Sequence, residues 1–297
     1  MLLKDPIELY EYPKEWYRNN VEKVKKVKSG LYILTADGWL RRGITTATTT
    51  SAAINAAIAS LYENLEEVEV VTPVGIVVRI KVEAKDGVAL VKKFAGDHAF
   101  DVTNGLVVKA VTKENCNNGI KFGRGIGIKN GRKAISKSAM GQLIDNFKLY
   151  KDKYGYKGSI TVEIPNGELI AEKTKNSLLG IEGGVSILGS TGFVELWCEK
   201  LIETKIKIAR QYDKIAVTTG RIGWRYALEN YKEFQPFVFG VHLDDILKNF
   251  EGEIIIVGLP KLLFKWVGKE KNKMRNKDDI LKKARELNKN VVDVVLL

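Results

Sequence analysis

The sequence predicts an α+β N-terminal domain over residues 1–180, with residues 1–30 as a polar extension, followed by an α/β Rossmann-like three-layer domain over residues 181–297. Three observations predict it. Before about residue 180, short segments of strand character follow one another closely enough to pair locally, around two helical stretches. After it, short apolar runs alternate with helix patterns, the rhythm of a parallel sheet with helices on both faces. Four of those later runs end in Gly189-Ser190-Thr191, Thr219-Gly220-Arg221, Gly240-Val241-His242 and Gly258-Leu259-Pro260. In parallel sheets, ligands sit beyond the C-terminal strand ends, so these turns are where a nucleotide-sized ligand is expected.

Residues 14–28, rich in lysine, read as one helix leading to a short strand at 31–35. Residues 45–61 are the clearest helix: Ser and Thr crowd its start, where side-chain oxygens cap free N–H groups, and a run of alanines follows. Strands are expected at 67–71 and 75–82, joined by a turn at Thr72-Pro73, then at 88–92, 106–111 and 160–164. A helix carrying Ala139, Leu143, Ile144 and Phe147 lies before the last of them. Residues 185–188 read as a buried strand, Gly189-Ser190-Thr191-Gly192 as its turn, and 194–211 as the next helix. Strand, glycine turn and helix together bring a backbone close to a small ligand. Strands at 214–218, 237–240, 254–257 and 291–296 complete the sheet.

The 297 residues, 45% hydrophobic and 28% charged, suffice for one large or two ordinary cores. No apolar run reaches membrane-spanning length, and the N-terminus lacks the apolar stretch of a secretory leader. Cys116 and Cys198 form neither a disulfide framework nor a CxxC, so they read as inert thiols in a reducing cytoplasm. The net charge of +12 fits an acidic partner. No zinc finger, RNP-type strand or basic–aromatic interleaving supports nucleic acid. Lys261, Lys265, Lys269, Lys271, Lys273, Arg275 and Lys277 read as a solvated face. Lys121, Arg124, Lys129, Arg132, Lys133 and Lys137, interleaved with glycines, are better placed for a ligand rich in carboxylates.

Among single residues, Gly183, Gly184, Gly189, Ser190, Thr191, Gly192, Gly220 and Gly258 are the candidates for close backbone approach to a cofactor. Thr45, Thr46 and Thr48 fit either an anion at a helix N-terminus or plain capping. Asp97 and Asp101 fit either ligand hydroxyls or Asx-type turns. Arg221 and Arg225, one helical turn apart, fit either substrate carboxylates or a surface face. His98 has too few ligand-type neighbours for a metal, and His242 reads as a helix cap. No residue is assigned as acid or base.

The stretch Leu40-Arg41-Arg42-Gly43-Ile44-Thr45-Thr46-Ala47-Thr48 precedes the alanine-rich helix. It is followed by Val71-Thr72-Pro73-Val74-Gly75, by Ala95-Gly96-Asp97 with Asp101-Val102-Thr103-Asn104-Gly105, and by Gly123-Arg124-Gly125-Ile126-Gly127. A block then runs from Val162 through Lys173-Thr174-Lys175-Asn176-Ser177 to Gly192. In this order they resemble the signatures of the CbiD-type cobalt-precorrin-5B C1-methyltransferases of anaerobic cobalamin synthesis. The resemblance is strong from about 39 to 197, looser beyond, and absent before residue 30. It implies methyl transfer from S-adenosylmethionine to C1 of an acidic cobalt-corrinoid. The eight cofactor candidates above would then face the donor, and Thr45, Thr46, Thr48, Asp97, Asp101, Thr103, Arg124 and Arg221 the corrinoid. Ala47 stands where the family has glycine and Asn104 where it has histidine. Gly220-Arg221-Ile222-Gly223 and Gly258-Leu259-Pro260-Lys261 replace two histidine-bearing turns. These departures keep a second reading open, a non-catalytic relative that binds a tetrapyrrole or nucleotide. A homo-oligomer is compatible with either.

Overall fold

The computed structural model describes residues 2–114, 119–268 and 276–297; Cys116 and the basic residues 269–275 lie outside the described residues. The chain divides into two compact units. One, called here the threonine-helix unit, comprises Ser29–Ile33 and Arg41–Leu196; the other, the parallel-sheet unit, comprises Met1–Lys28, Leu34–Leu40 and Trp197–Leu297. This corrects the expected boundary at 180/181 and the expected extension. Leu3, Tyr10, Tyr12 and Trp16 are buried in the same cluster as Ile215, Phe237, Ile254 and Val291. Tyr10 stacks on Phe237 with ring centroids 5.5 Å apart. Aromatic burial of this kind outweighs the polar composition around it. The expected helix over 14–28 is two helices, Lys14–Tyr17 and Val21–Lys28, because Asn19 between them takes a positive φ of 57°.

In the threonine-helix unit, helix Thr46–Ala59 is buried along its whole length. Its alanines let helix Lys137–Tyr154 and strands Val88–Lys92 and Val107–Glu114 approach closely. The main sheet has five strands, in the order Glu83–Lys85, Val88–Lys92, Val107–Glu114, Gly158–Glu163, Gly119–Phe122. All its pairs are antiparallel except the last, which is parallel. A separate hairpin joins Glu67–Val71 to Val77–Lys81, with every second residue of each strand buried.

In the parallel-sheet unit the four strands lie in the order Gln235–Val238, Lys214–Thr218, Glu253–Gly258, Val291–Leu296, all parallel. Alternation sorts their side chains. Ile215, Val217, Ile254 and Ile256 share a cluster with Ile206, Ile246 and Ile280 of three helices. Ala216, Ile255 and Val257 face Ala227 of helix Arg221–Asn230. Helices therefore cover both faces.

The glycine block does not open this sheet. Gly184–Val185 pairs in parallel with Gly125–Ile126, and Phe193–Val194 pairs antiparallel with Gly43–Ile44, all within the threonine-helix unit. The helix expected from 194 starts at Glu199. A short apolar run between glycines satisfies its backbone with any available edge, and here the nearest edges belong to the antiparallel unit.

Candidate functional site

The parallel sheet reverses its strand order between Lys214–Thr218 and Glu253–Gly258, the two neighbours whose connections leave on opposite sides. A crevice at such a reversal is the standard ligand site of open parallel sheets. The turns after these two strands border it, and the turn after Gln235–Val238 stands on the far side of the first. Thr219 N donates to Val257 O at 3.4 Å, which holds the first turn against the third strand. Phe239 N and Gly240 N both donate to Thr218 O, at 3.0 and 3.3 Å, which ties the turn after Gln235–Val238 to the first. At Gly258 a Cβ would stand 2.5 Å from Thr219 Oγ1, so this glycine serves protein packing. At Gly220, just ahead of helix Arg221–Asn230, a Cβ would meet nothing within 4 Å. Open backbone at a helix N-terminus is available to a ligand.

Arg221 is not a free cation: its Nη1 donates to Ile7 O at 2.8 Å, and its guanidinium lies 3.6 Å from the Trp224 ring centroid. Trp224 is buried, and its Nε1 has no hydrogen-bond partner among the described residues. Arg225 lies exposed on the same helix. His242 occupies the N-cap position of helix Leu243–Asn249 but makes no side-chain cap. Its ring stacks on Trp197, and its Nδ1 stands 3.3 Å from Asp245.

The remaining sequence candidates belong to the threonine-helix unit and are engaged with protein atoms. Thr45 Oγ1 accepts from Thr48 N at 3.2 Å, and Thr48 Oγ1 donates to Gly192 O at 2.8 Å. Thr46 Oγ1 accepts from Leu188 N at 2.9 Å. Thr45 thus caps the helix, while Thr46 and Thr48 tie its first turn to residues 188 and 192, and all three are buried. A Cβ on Gly184 would lie 2.3 Å from Gly125 O, one on Gly189 2.5 Å from Thr45 Oγ1, and one on Gly192 2.7 Å from Thr72. Thr191 Oγ1 accepts from Phe193 N at 3.2 Å, while Gly183 and Ser190 are exposed.

Asp97 accepts from Arg41 N at 2.7 Å. Asp101 accepts from Thr103 N at 2.9 Å, in an Asx turn, and from the buried Lys93 ammonium. Burial works against the Asp101 carboxylate, yet the Lys93 and Thr103 hydrogen bonds hold its pKa below the ordinary value. Arg124 is exposed and pairs with Glu168 at 3.1 Å. The backbone hydrogen bond of Glu168, with that pair, keeps its carboxyl below the usual range. Lys133 Nζ is used internally, donating to Gly123 O and Ile126 O. Lys121, Lys129, Arg132 and Lys137 are exposed.

A family model described as CbiD matches residues 34–196. The chain belongs to the CbiD family. It is 54% identical over 285 residues to a protein of Archaeoglobus fulgidus named cobalt-precorrin-5B C(1)-methyltransferase, covering 96% of this chain and 92% of that one. A protein of the same name from Methanosarcina acetivorans is 39% identical over 277 residues, covering 88% of this chain and 82% of that one. The crystal structure of the cobalamin biosynthesis protein CbiD from A. fulgidus superposes with a TM-score of 0.90 at 53% identity, covering 99% of each chain. The likeness to CbiD relatives therefore extends through the parallel-sheet unit, beyond the 39–197 span legible from motifs.

Sequence reasoning missed two buried pairs. Glu8 and Lys205 form a fully buried ion pair in the parallel-sheet unit. Arg42, wholly buried, donates through Nε and Nη2 to Glu195 Oε1 and through Nη1 to Gly30 O. Arg42 stands inside the Leu40–Thr48 signature, so a signal existed for it. For Glu8 the available signal was the aromatic run Tyr10, Tyr12 and Trp16 beside it, which marks buried rather than solvated chain.

Proposed function

We propose that this protein is a cobalt-precorrin-5B C1-methyltransferase of cobalamin biosynthesis, with S-adenosylmethionine as donor and an acidic cobalt-corrinoid as acceptor. The observation that carries the reaction is the 54% identity, over 96% of the chain, to a relative bearing that name. That likeness favours the catalytic reading over the non-catalytic relative. We read the parallel sheet as Rossmann-like and place the donor in its strand-end crevice. A cytoplasmic setting suits the free thiol of Cys198.

The residues present fit such a donor. Gly220 leaves its backbone open where a side chain would stand, Thr218 O holds the turn after Gln235–Val238, and Thr219 N ties Gly220's own turn to strand Glu253–Gly258. When bound, the donor supplies a methyl on a sulfonium, whose carbon–sulfur bond breaks with its electron pair returning to sulfur as the acceptor carbon forms the new bond. The chain's part is alignment and exclusion of water, which can supply several kcal/mol of a barrier without a protein nucleophile, roughly 7–11 in the best-oriented cases. On the acceptor side, the exposed Arg124, Arg132, Lys121 and Lys129 are the proposed surface for peripheral carboxylates.

The test is incubation of the purified chain with cobalt-precorrin-5B and S-adenosylmethionine carrying an isotopically labelled methyl. The expected product carries one labelled methyl at C1, with one equivalent of S-adenosylhomocysteine. Tight binding of both ligands without labelled product would establish the non-catalytic reading instead.

A further inference from the structure

We infer that the Trp197–His242 ring pair is the subsite for the adenine base of the methyl donor, an inference that rests on the donor reading above. The turn that carries His242 follows the strand paired with Lys214–Thr218, and Phe239 N and Gly240 N both bond to Thr218 O, so it stands beside the strand end that Gly220 follows. Neighbouring strands are spaced by about 4.8 Å, so an adenosyl ligand is long enough to cross from one strand end to the next. At the second strand end it meets a pair of flat rings. Trp197 and His242 stack with centroids 5.8 Å apart and planes at 23°. Both remain partly exposed, Trp197 at 39%. The indole runs beside Gly240, where a Cβ would sit 3.5 Å from its ring. With Cys198, Ile202 and Asp245 the two rings line one end of a groove of about 720 Å³ that runs along helices Glu199–Ala209 and Leu243–Asn249 as far as Arg210 and Asn249, within the size range of small-molecule sites.

The platform is held from beneath. Lys205 Nζ lies 5.0 Å from the Trp197 ring centroid and donates to Val238 O at 3.0 Å. Its buried partner Glu8 accepts from Val238 N at 2.9 Å. Both backbone groups of the last residue of strand Gln235–Val238 are thus clasped by one ion pair, which fixes the turn that follows. Asp245, at 3.3 Å from His242 Nδ1, orients the second ring. A rigid, partly exposed aromatic surface suits stacking of a flat neutral base and calls for no cation facing it.

Calorimetric binding of S-adenosylhomocysteine and of adenosine to the full chain tests this, with Trp197→Leu, Trp197→Phe, His242→Ala and Gly220→Val, each verified as folded by thermal melting. Trp197→Leu and His242→Ala are expected to weaken both ligands tenfold or more, by matching factors, because both ligands carry the base. Trp197→Phe, which keeps a ring, is expected to recover most of the loss. Folded Trp197→Leu and His242→Ala proteins that bind both ligands like the unmodified chain would overturn the inference. If Gly220→Val removes S-adenosylhomocysteine binding while the ring variants do not, the donor reading stands and the base subsite falls. If the unmodified chain binds neither ligand, the donor reading falls and the subsite with it.

Discussion

Gly184, Gly189 and Gly192 of the glycine block differ from Gly220, at the end of a parallel strand, in what stands where a side chain would be. At Gly184, Gly189 and Gly192 it is other protein: a carbonyl or a threonine lies within 3 Å of the Cβ position. At Gly220 it is open space. The first group lets chain pack on chain, and the second leaves backbone available to a ligand. A glycine-rich stretch therefore reports a close approach without saying to what. The denser motif is the structural one, and the sparser turn carries the candidate site.

The sharpest way to break this comparison is a pair of matched substitutions. Gly184→Val places a Cβ 2.3 Å from the Gly125 carbonyl oxygen, with a φ of 153° that disfavours a side chain. It is expected to destabilise by about 4 kcal/mol or more, enough to lose the fold in many domains. Gly220→Val is expected to melt like the unmodified protein while losing S-adenosylhomocysteine binding. Denaturant titration and calorimetry on both variants decide it. Equal stability of the two would remove the distinction between packing glycines and ligand glycines.

Next in size is the clasp beneath the strand-end turns. Lys205→Met takes the ammonium partner from the buried Glu8 carboxylate and is expected to cost about 3–5 kcal/mol. Adding Glu8→Leu removes the stranded charge and should restore part of this. The Val238 N–H and C=O then stay unpaired, a residual loss of about 2 kcal/mol. Urea melts of the single and double variants measure the difference.

In the threonine-helix unit, Asp101→Asn tests whether that acidic loop is structural. Losing the charged bond to Lys93 is expected to cost about 2 kcal/mol near neutral pH. The sign of the pH dependence follows from the lowered carboxyl. Its stabilisation is complete above the unfolded value, near 3.8, and fades as pH falls through the lower folded value. The gap between the two proteins in melting experiments should therefore shrink only in acid. A gap that stayed constant would place the contribution outside this ion pair.

The smallest effects belong to the exposed cations. Arg124→Glu with Arg132→Glu breaks only the surface pair with Glu168 and is expected to change stability by about 1 kcal/mol or less. Corrinoid binding should weaken about tenfold, equivalent to about 1.4 kcal/mol, and less at high salt. S-adenosylhomocysteine binding should hold. Equal loss of both ligands would indicate misfolding rather than a substrate surface.

Much of this molecule follows from local pattern. Strands Glu67–Val71 and Val88–Lys92 lie where alternation places them, and helix Thr46–Ala59 starts at the Thr45 cap. The apolar runs of the parallel sheet pair in parallel, as runs buried on both faces do. The family signatures, carried by consecutive residues, are equally legible. Periodicity, capping chemistry and motif spacing act over a few residues, so one chain suffices to read them. Which surface each piece meets is another matter. The chain alone places neither Leu3–Trp16 in the core of a sheet that begins some two hundred residues later, nor Gly189 against Thr45 rather than a ligand. Nor does it mark Glu8 and Lys205, two ordinary surface-type residues, as a buried pair. Those outcomes depend on burial and hydrogen-bond satisfaction between segments distant in sequence, and only the tertiary structure decides which partners are brought together.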